Sequence, residues 1–326
     1  MSRCYNEEIT QLWARQHAEW DTVRKNYGNL YNALTRTIKV GVNTFVLQYN
    51  PERLRSSAAN IDAKAISERP CFLCNENQPP EQETVMWEDK YKIQVNPYPI
   101  FKRHLTISAV EHTPQLISGR FGDMMRLARD LKDYVVFYNG PHSGASAPDH
   151  MHFQAGLRDE LPICSELPWL TMRVINSGAC FLSYNISSLR PVFYIDTSSL
   201  EDGDKYLCEL LNFLPQKEGH DEPMVNILCW YDYNSWKIAL FPRSKHRPSC
   251  YGTNDDQFII SPASVDLGGL IAVAREEDFY RLTFPDVTSI LSDVCLNEIE
   301  VAKIADNLTN YYTLIKLTNY GTSSPS

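Results

Sequence analysis

The chain has 326 residues, 43% of them hydrophobic and 22% charged, with a net charge of −9. That length buries a full core, as one large domain or two fused ones. The acidic balance argues against general nucleic-acid binding, which rests on phosphate contacts. Nine cysteines, odd in number and in no regular framework, point to a reducing cytosol rather than a disulfide scaffold. Residues 1–8 lack an apolar signal core, and no stretch approaches membrane-spanning length. A soluble cytoplasmic protein with no membrane partner is the expectation.

In chain order, Asn6 to Tyr27 reads as one amphipathic helix with Ile9, Leu12, Trp13 and Trp20 as its apolar set. A strand at Phe45–Tyr49 runs into a loop carrying Arg53, Arg55, Ser56 and Ser57. Guanidinium forks match phosphoryl oxygens, so this cluster either grips phosphate or forms an exposed basic loop. Cys71-Phe-Leu-Cys74 sits in a proline-rich turn and has the spacing of half a zinc site. Tyr91–Val95 and Phe101–Ser108 read as paired strands joined through Asn96-Pro-Tyr-Pro99. Thr113 and Pro114 have the chemistry of an N-cap and a first helical position. They predict a helix with Leu116, Phe121, Met124, Met125, Ala128 and Leu131 on its apolar side. The β-branched and aromatic stretch Tyr134–Asn139 predicts the next strand.

The following segment, Gly144-Ala-Ser-Ala-Pro-Asp-His-Met-His-Phe-Gln-Ala-Gly156, passes from a small-residue loop into strict alternation. His150, His152 and Gln154 fall on one face; Met151, Phe153 and Ala155 fall on the other. A row of polar groups beside an apolar face is costly to bury without a purpose. An unprotonated imidazole can attack phosphorus, and a neighbouring amide can hold a phosphoryl oxygen without activating water. Downstream come a strand at Val192–Ile195, a helix from Lys205 to Leu214, and a hairpin of Met224–Tyr231 with Ser235–Arg247. The hairpin's basic exit (Arg243, Lys245, His246, Arg247) either neutralises substrate phosphates or is a solvated turn. A helix from Asp286 to about Leu308 and a frayed tail from Gly321 close the chain.

His150-Met-His152-Phe-Gln154, after Asn139 and a Gly-Ala-Ser loop, resembles the signature of the histidine-triad superfamily. The branch that carries His-x-His-x-Gln comprises galactose-1-phosphate uridylyltransferase, diadenosine tetraphosphate phosphorylase and the GDP-hexose phosphorylases. The resemblance implies an α+β fold of two histidine-triad-like halves, mainly antiparallel sheet with flanking helices. It divides the chain into an N-terminal extension (1–60), a catalytic half (61–190) and a degenerate second half (191–326). It further implies that His152 is the nucleophile and forms a covalent nucleotidyl-histidine. Gln154 and Ser146 would hold the transferred phosphate, and Asn96 and Asn139 would contact the nucleotide. Here Ala147-Pro-Asp149 makes the serine-to-histidine spacing one residue longer than in the uridylyltransferase pattern.

Zinc-containing members of the branch match Cys71, Cys74, His112 and His150 position by position, which implies a closed structural zinc site. The activity implied is nucleotidyl transfer or phosphorolysis of a nucleotide sugar or dinucleoside polyphosphate, with phosphate or a sugar phosphate as acceptor. Motifs near Phe153, near Gly268-Gly269 and at the cysteine turn resemble three different members, so base and sugar stay open. A nucleotide-binding regulator and a hydrolase are the rival readings. The sequence sets no oligomeric state.

Overall fold

The computed structural model describes residues 4–51, 69–167, 170, 172–177, 180–186 and 189–321. The strands are β1 (Thr35–Val40), β2 (Asn43–Tyr49), β3 (Val85–Trp87), β4 (Tyr91–Val95), β5 (His104–Ala109), β6 (Tyr134–Asn139) and β7 (His152–Leu157). They continue with β8 (Arg173–Asn176), β9 (Cys180–Asn185), β10 (Val192–Thr197), β11 (Val225–Asp232), β12 (Ser235–Pro242) and β13 (Leu270–Val273). Ten of them form one antiparallel sheet in the order β3-β4-β5-β7-β6-β11-β12-β10-β9-β8. Counted inward from either edge the order is the same: three consecutive strands, then the next two exchanged. The two runs of five meet where β6 pairs with β11. A second sheet of β1, β2 and β13 pairs β13 parallel to β2.

The helices are α1 (Tyr5–Glu19), α2 (Asp21–Tyr31), α3 (Phe121–Asp130), α4 (Ile163–Glu166), α5 (Leu200–Phe213), α6 (Ser264–Leu267), α7 (Glu276–Arg281), α8 (Phe284–Val294) and α9 (Glu298–Gly321). The large sheet is apolar on both faces, and β6 shows why. Its alternate residues Val136 and Tyr138 join one core with Ile9, Met124, Leu207 and Leu308; Val135 and Phe137 join another with Phe45, Leu228 and Leu291. A strand covered on both sides reads as a continuous apolar run. β7 is the exception: Met151, Phe153 and Ala155 enter the first core, while the opposite face carries His152 and Gln154. Among the described residues no helix is long and apolar enough to cross a membrane.

Several expected elements shift. The first helix breaks at Trp20, whose backbone is extended (φ −103°, ψ 106°) so that its indole turns into the core. The strand expected from Phe101 begins at His104, and the helix from Lys205 begins at Leu200, capped by Ser199. The closing helix is two, α8 and α9, because Arg243 and Cys295 form a β-bridge between them and the sheet. Thr113 and Pro114 start no helix: α3 begins at Phe121. Residues 113–120 stay non-helical because their backbone pairs elsewhere. Met151 N–H donates to Thr113 O (2.7 Å), and Gln115 N–H donates to Pro148 O (3.1 Å). Long-range hydrogen bonds outweigh good local capping chemistry.

Candidate active site and metal centre

β7 lies between β5 and β6, with His152 opposite Ser108 and Gln154 opposite Thr106 and Phe137. The expected face is present, but the strand starts at His152, and His150 precedes it. Gln115 clips the strand in place. Its Oε1 accepts from His152 N–H (2.7 Å), and its Nε2 donates to His152 O (3.0 Å) and Asn139 O (2.9 Å). Sequence reading missed this residue, which carries no periodic signal. Each partner left unpaired in a buried site costs about 1–3 kcal/mol. Gln115→Leu, similar in size, is therefore expected to lower stability by at least about 3 kcal/mol; urea unfolding measures it, and a loss under about 1 kcal/mol refutes the clip.

The segment carrying Gln115 is anchored in turn by Glu222, whose Oε2 accepts from Ile117 N–H (2.8 Å) and whose Oε1 meets the Tyr138 hydroxyl. Burial raises the Glu222 carboxyl from its ordinary 4.5 to about 7. Between those values the unfolded chain releases the proton and the folded chain keeps it, so stability falls as pH rises through that window. The span is roughly 3 kcal/mol. Glu222→Gln should flatten that part of the stability profile; an unchanged slope between about pH 4.5 and 7 would count against it.

Backbone atoms fix the protons on each imidazole. His152 Nδ1 lies 2.9 Å from the carbonyl of His150, which only a protonated Nδ1 can satisfy. The Nε2 lone pair is then free, and among the described residues Nε2 has no hydrogen-bond partner. Burial pushes this imidazole down to about 4, so it is neutral at working pH. His150 has the opposite tautomer: Nε2–H donates to Ala109 O (2.9 Å), and its Nδ1 lone pair faces the cysteines.

Nδ1 of His150 is 3.3 Å from Cys71 Sγ and 3.6 Å from Cys74 Sγ, and Cys74 Sγ is 3.2 Å from His112 Nδ1. The four ligand atoms lie within 4.8 Å of one another. Tetrahedral bonds of about 2.0–2.3 Å place ligand atoms roughly 3.3–3.8 Å apart, so the donors suit a metal ion. Outer groups orient them: Ala109 O holds His150, and Asp149 Oδ2 lies 3.9 Å from His112 Nε2. Arg69 Nη2 bridges Asp149 Oδ1 and Ser146 O, both at 3.1 Å, linking this centre to the loop before β7.

Gln154 is held by a second relay. Ile100 N–H donates to His104 Nδ1 (3.2 Å), so the ring proton sits on Nε2 and faces Gln154 Oε1 (3.0 Å). The amide of Gln154 is thereby turned with its NH₂ outward, as a donor. His104 sets that orientation. Tyr27 from α2 supports it by accepting from His104 N–H (3.2 Å). Asn96 makes an Asx turn with Tyr98 N–H (2.9 Å) and donates to Thr106 Oγ1 (3.0 Å), on the face that carries Gln154.

Ser146 is half-buried in the loop 140–149, whose sharp reversal needs Gly144 at φ +100°, packed on Ala263. Asn139 ends β6, with its Oδ1 accepting from Asn226 Nδ2 (2.8 Å) and Ser264 N–H (3.0 Å). The expected phosphate cluster of Arg53 and Arg55, with Ser56 and Ser57, lies outside the described residues. The basic exit after β12 is not the solvated turn its composition suggests. Arg243 is buried, and Lys245 is paired with Asp293 (2.6 Å).

Residues 12–157 match the family DUF4922, a domain of unknown function. No curated protein sequence matches the chain. Among solved structures, the yeast Ap4A phosphorylase Apa2 superposes with a TM-score of 0.57 at 18% identity, covering 90% of this chain and 97% of its own. Its complex with Ap4A superposes at 0.53 with 20% identity, covering 87% and 97%. The fold is that of Apa2. The branch implied by the histidine motif is therefore the one whose fold this chain has, over nearly the whole length of Apa2. Apa2 itself has been solved in complex with AMP and with Ap4A.

Proposed function

We propose that the chain is a nucleotidyltransferase or phosphorylase working by double displacement on a dinucleoside polyphosphate or nucleotide sugar. One observation carries the reading: a buried, neutral His152 with Nδ1–H held by His150 O and Nε2 unprotonated, beside an amide locked as a donor at Gln154. Nε2 attacks the α-phosphorus. The bond from phosphorus to the bridging oxygen breaks, and the remaining phosphate-linked half leaves with that electron pair. The resulting nucleotidyl-imidazolium keeps its Nδ1 proton on the His150 carbonyl. Phosphate or a sugar phosphate then attacks, the P–N bond breaks, and His152 is regenerated neutral. Gln154 and Ser146 bind the phosphoryl oxygens, and an amide, unlike a third imidazole, has no proton equilibrium with which to activate water.

The likeness to Apa2 favours the dinucleoside polyphosphate as donor and phosphate as acceptor. Asn96 and Asn139 are assigned to the nucleotide. Arg53 and Arg55 are assigned to phosphate, and residues 61–190 to the catalytic half. Cys71, Cys74, His112 and His150 would hold a structural zinc, which supplies rigidity where the histidine strand begins and performs no chemistry. A chromatographic product assay with Ap4A, UDP-glucose and GDP-glucose, each with and without phosphate or hexose phosphate, tests the reading. Intact mass of the protein after donor alone should show one nucleotidyl adduct. Nucleoside monophosphate released at a rate indifferent to acceptor, or bound donor with neither adduct nor product, would overturn it.

A further inference from the structure

The two five-strand runs of the sheet join where β6 pairs with β11, and the last cross-strand pair of that junction is Asn139 opposite Asn226. This pair is part of a relay whose every orientation is forced by atoms of known character. Arg243, 2% exposed, has five N–H donors and five acceptors. Nε faces Val294 O (3.0 Å), and Nη2 faces Lys245 O (3.1 Å) and His246 O (3.0 Å). Nη1 faces Pro262 O (2.9 Å) and Asn226 Oδ1. None of the five is a carboxylate.

A guanidinium only donates, so it fixes the carbonyl end of Asn226. The NH₂ end then meets the Ser143 carbonyl (2.8 Å) and Asn139 Oδ1 (2.8 Å). Ser264 N–H, another atom that only donates, also points at Asn139 Oδ1 (3.0 Å). Asn139 is thus held by its oxygen alone. Although the residue is only 7% exposed, its Nδ2 makes no hydrogen bond among the described residues. The hydroxyls of Ser143 and Ser264, on the two loops that hold this pair, are enclosed and without partners among the described residues.

An amide whose oxygen is saturated and whose N–H groups are unpaired presents those N–H groups to an incoming acceptor. We propose that the second half of the sheet completes the anion site: Arg243, acting through Asn226, locks the Asn139 amide as a donor to a phosphoryl oxygen of the bound nucleotide. Arg243 and Asn226 are positioning residues that touch no substrate. The inference rests on the nucleotide reading above. It gives that site two locked amide donors of separate origin, Gln154 turned by His104 from the first half and Asn139 turned by Arg243 from the second. It also accounts for a buried arginine whose five donors all meet neutral oxygens.

Calorimetric titration of the full-length protein with AMP tests it, alongside the melting temperature of each variant. Asn139→Asp keeps both accepted hydrogen bonds and replaces only the NH₂; AMP affinity should fall at least about 10-fold, or 1.4 kcal/mol, with melting little changed. Asn226→Asp pairs its new carboxylate with Arg243 but gives up the donation to Ser143 O, so its melting temperature is read beside its affinity. The new side chain cannot donate, however, and Asn139 must turn its NH₂ inward to meet it. AMP affinity should fall by a similar factor. In an Asn139→Ala background the same change should cost less than about 2-fold, since the relay has nothing left to orient. Either Asp variant binding AMP within about 2-fold of wild type overturns the relay, as does an equal loss from Asn226→Asp with and without Asn139. Wild-type protein that binds no AMP removes the nucleotide reading and the relay together, whereas normal wild-type binding with undiminished variants removes the relay alone.

Discussion

His152→Ala should abolish acceptor-dependent nucleotidyl transfer, with kcat falling by at least about 10⁴-fold, as for other enzymes whose covalent nucleophile is removed. The folded state should survive the change. The strand is held through His152 backbone N–H and C=O by Gln115, and neither contact involves the imidazole. The one hydrogen bond lost, Nδ1–H to His150 O, contributes about 1 kcal/mol. Nucleotide affinity should change by far less than turnover, because an imidazole that forms a bond only during reaction adds little to the ground state. Residual transfer within about 100-fold of wild type, or an adduct that persists in the variant, would move the nucleophile elsewhere. Steady-state turnover and intact mass on the same preparation distinguish these outcomes.

The second large effect is expected at the cysteine turn. Cys71→Ser should leave the purified protein with well under one equivalent of metal and a much lower melting temperature. Without metal, Cys74 is a thiol whose proton is held up at about 11 by burial and by Cys71. His150 beside it, though buried, is held by its Ala109 bond, weak thiol contacts and the edge of the His112 ring. Structural zinc supplies apparent binding energies of about 10–16 kcal/mol in small domains. If half of the lower figure is lost, at about 2–4 °C per kcal/mol for a chain of this class, melting falls by more than about 10 °C. A strong chelator should do the same to the wild type. Full melting stability in metal-free protein would show that the turn is held by Lys92 and its own packing, since the Lys92 ammonium already bonds Leu73 O (2.6 Å) and Asn75 Oδ1 (2.8 Å).

The histidine row was legible because alternation is a local property. Met151, Phe153 and Ala155 could not enter one core without turning His152 and Gln154 to the other face. The cysteine turn was legible from spacing, and the hairpin of β11 and β12 from its apolar run, closed by Tyr233 and Asn234 at positive φ. The failures came where local chemistry was good but misleading. Thr113-Pro114 has the composition of a helix start, yet the backbone there is taken by Met151 and Pro148. Trp20 sits well on a helical stripe, yet its helix ends there.

Gln115 and Asn226 gave no signal, and Arg243 stood out only as one of a basic cluster, since a buried polar residue is recognised by its partners and theirs lie far away in sequence. The sequence by itself determined which side chains face the site and which type of chemistry they can do, through residue identity and period. Tertiary structure alone decided the state of each group: which nitrogen of His152 is free, which end of Gln154 or Asn139 is offered, and that four ligands from three segments converge. Those states are set by donors and acceptors brought together across the sheet, and pairing over such separations leaves no periodic trace in the chain.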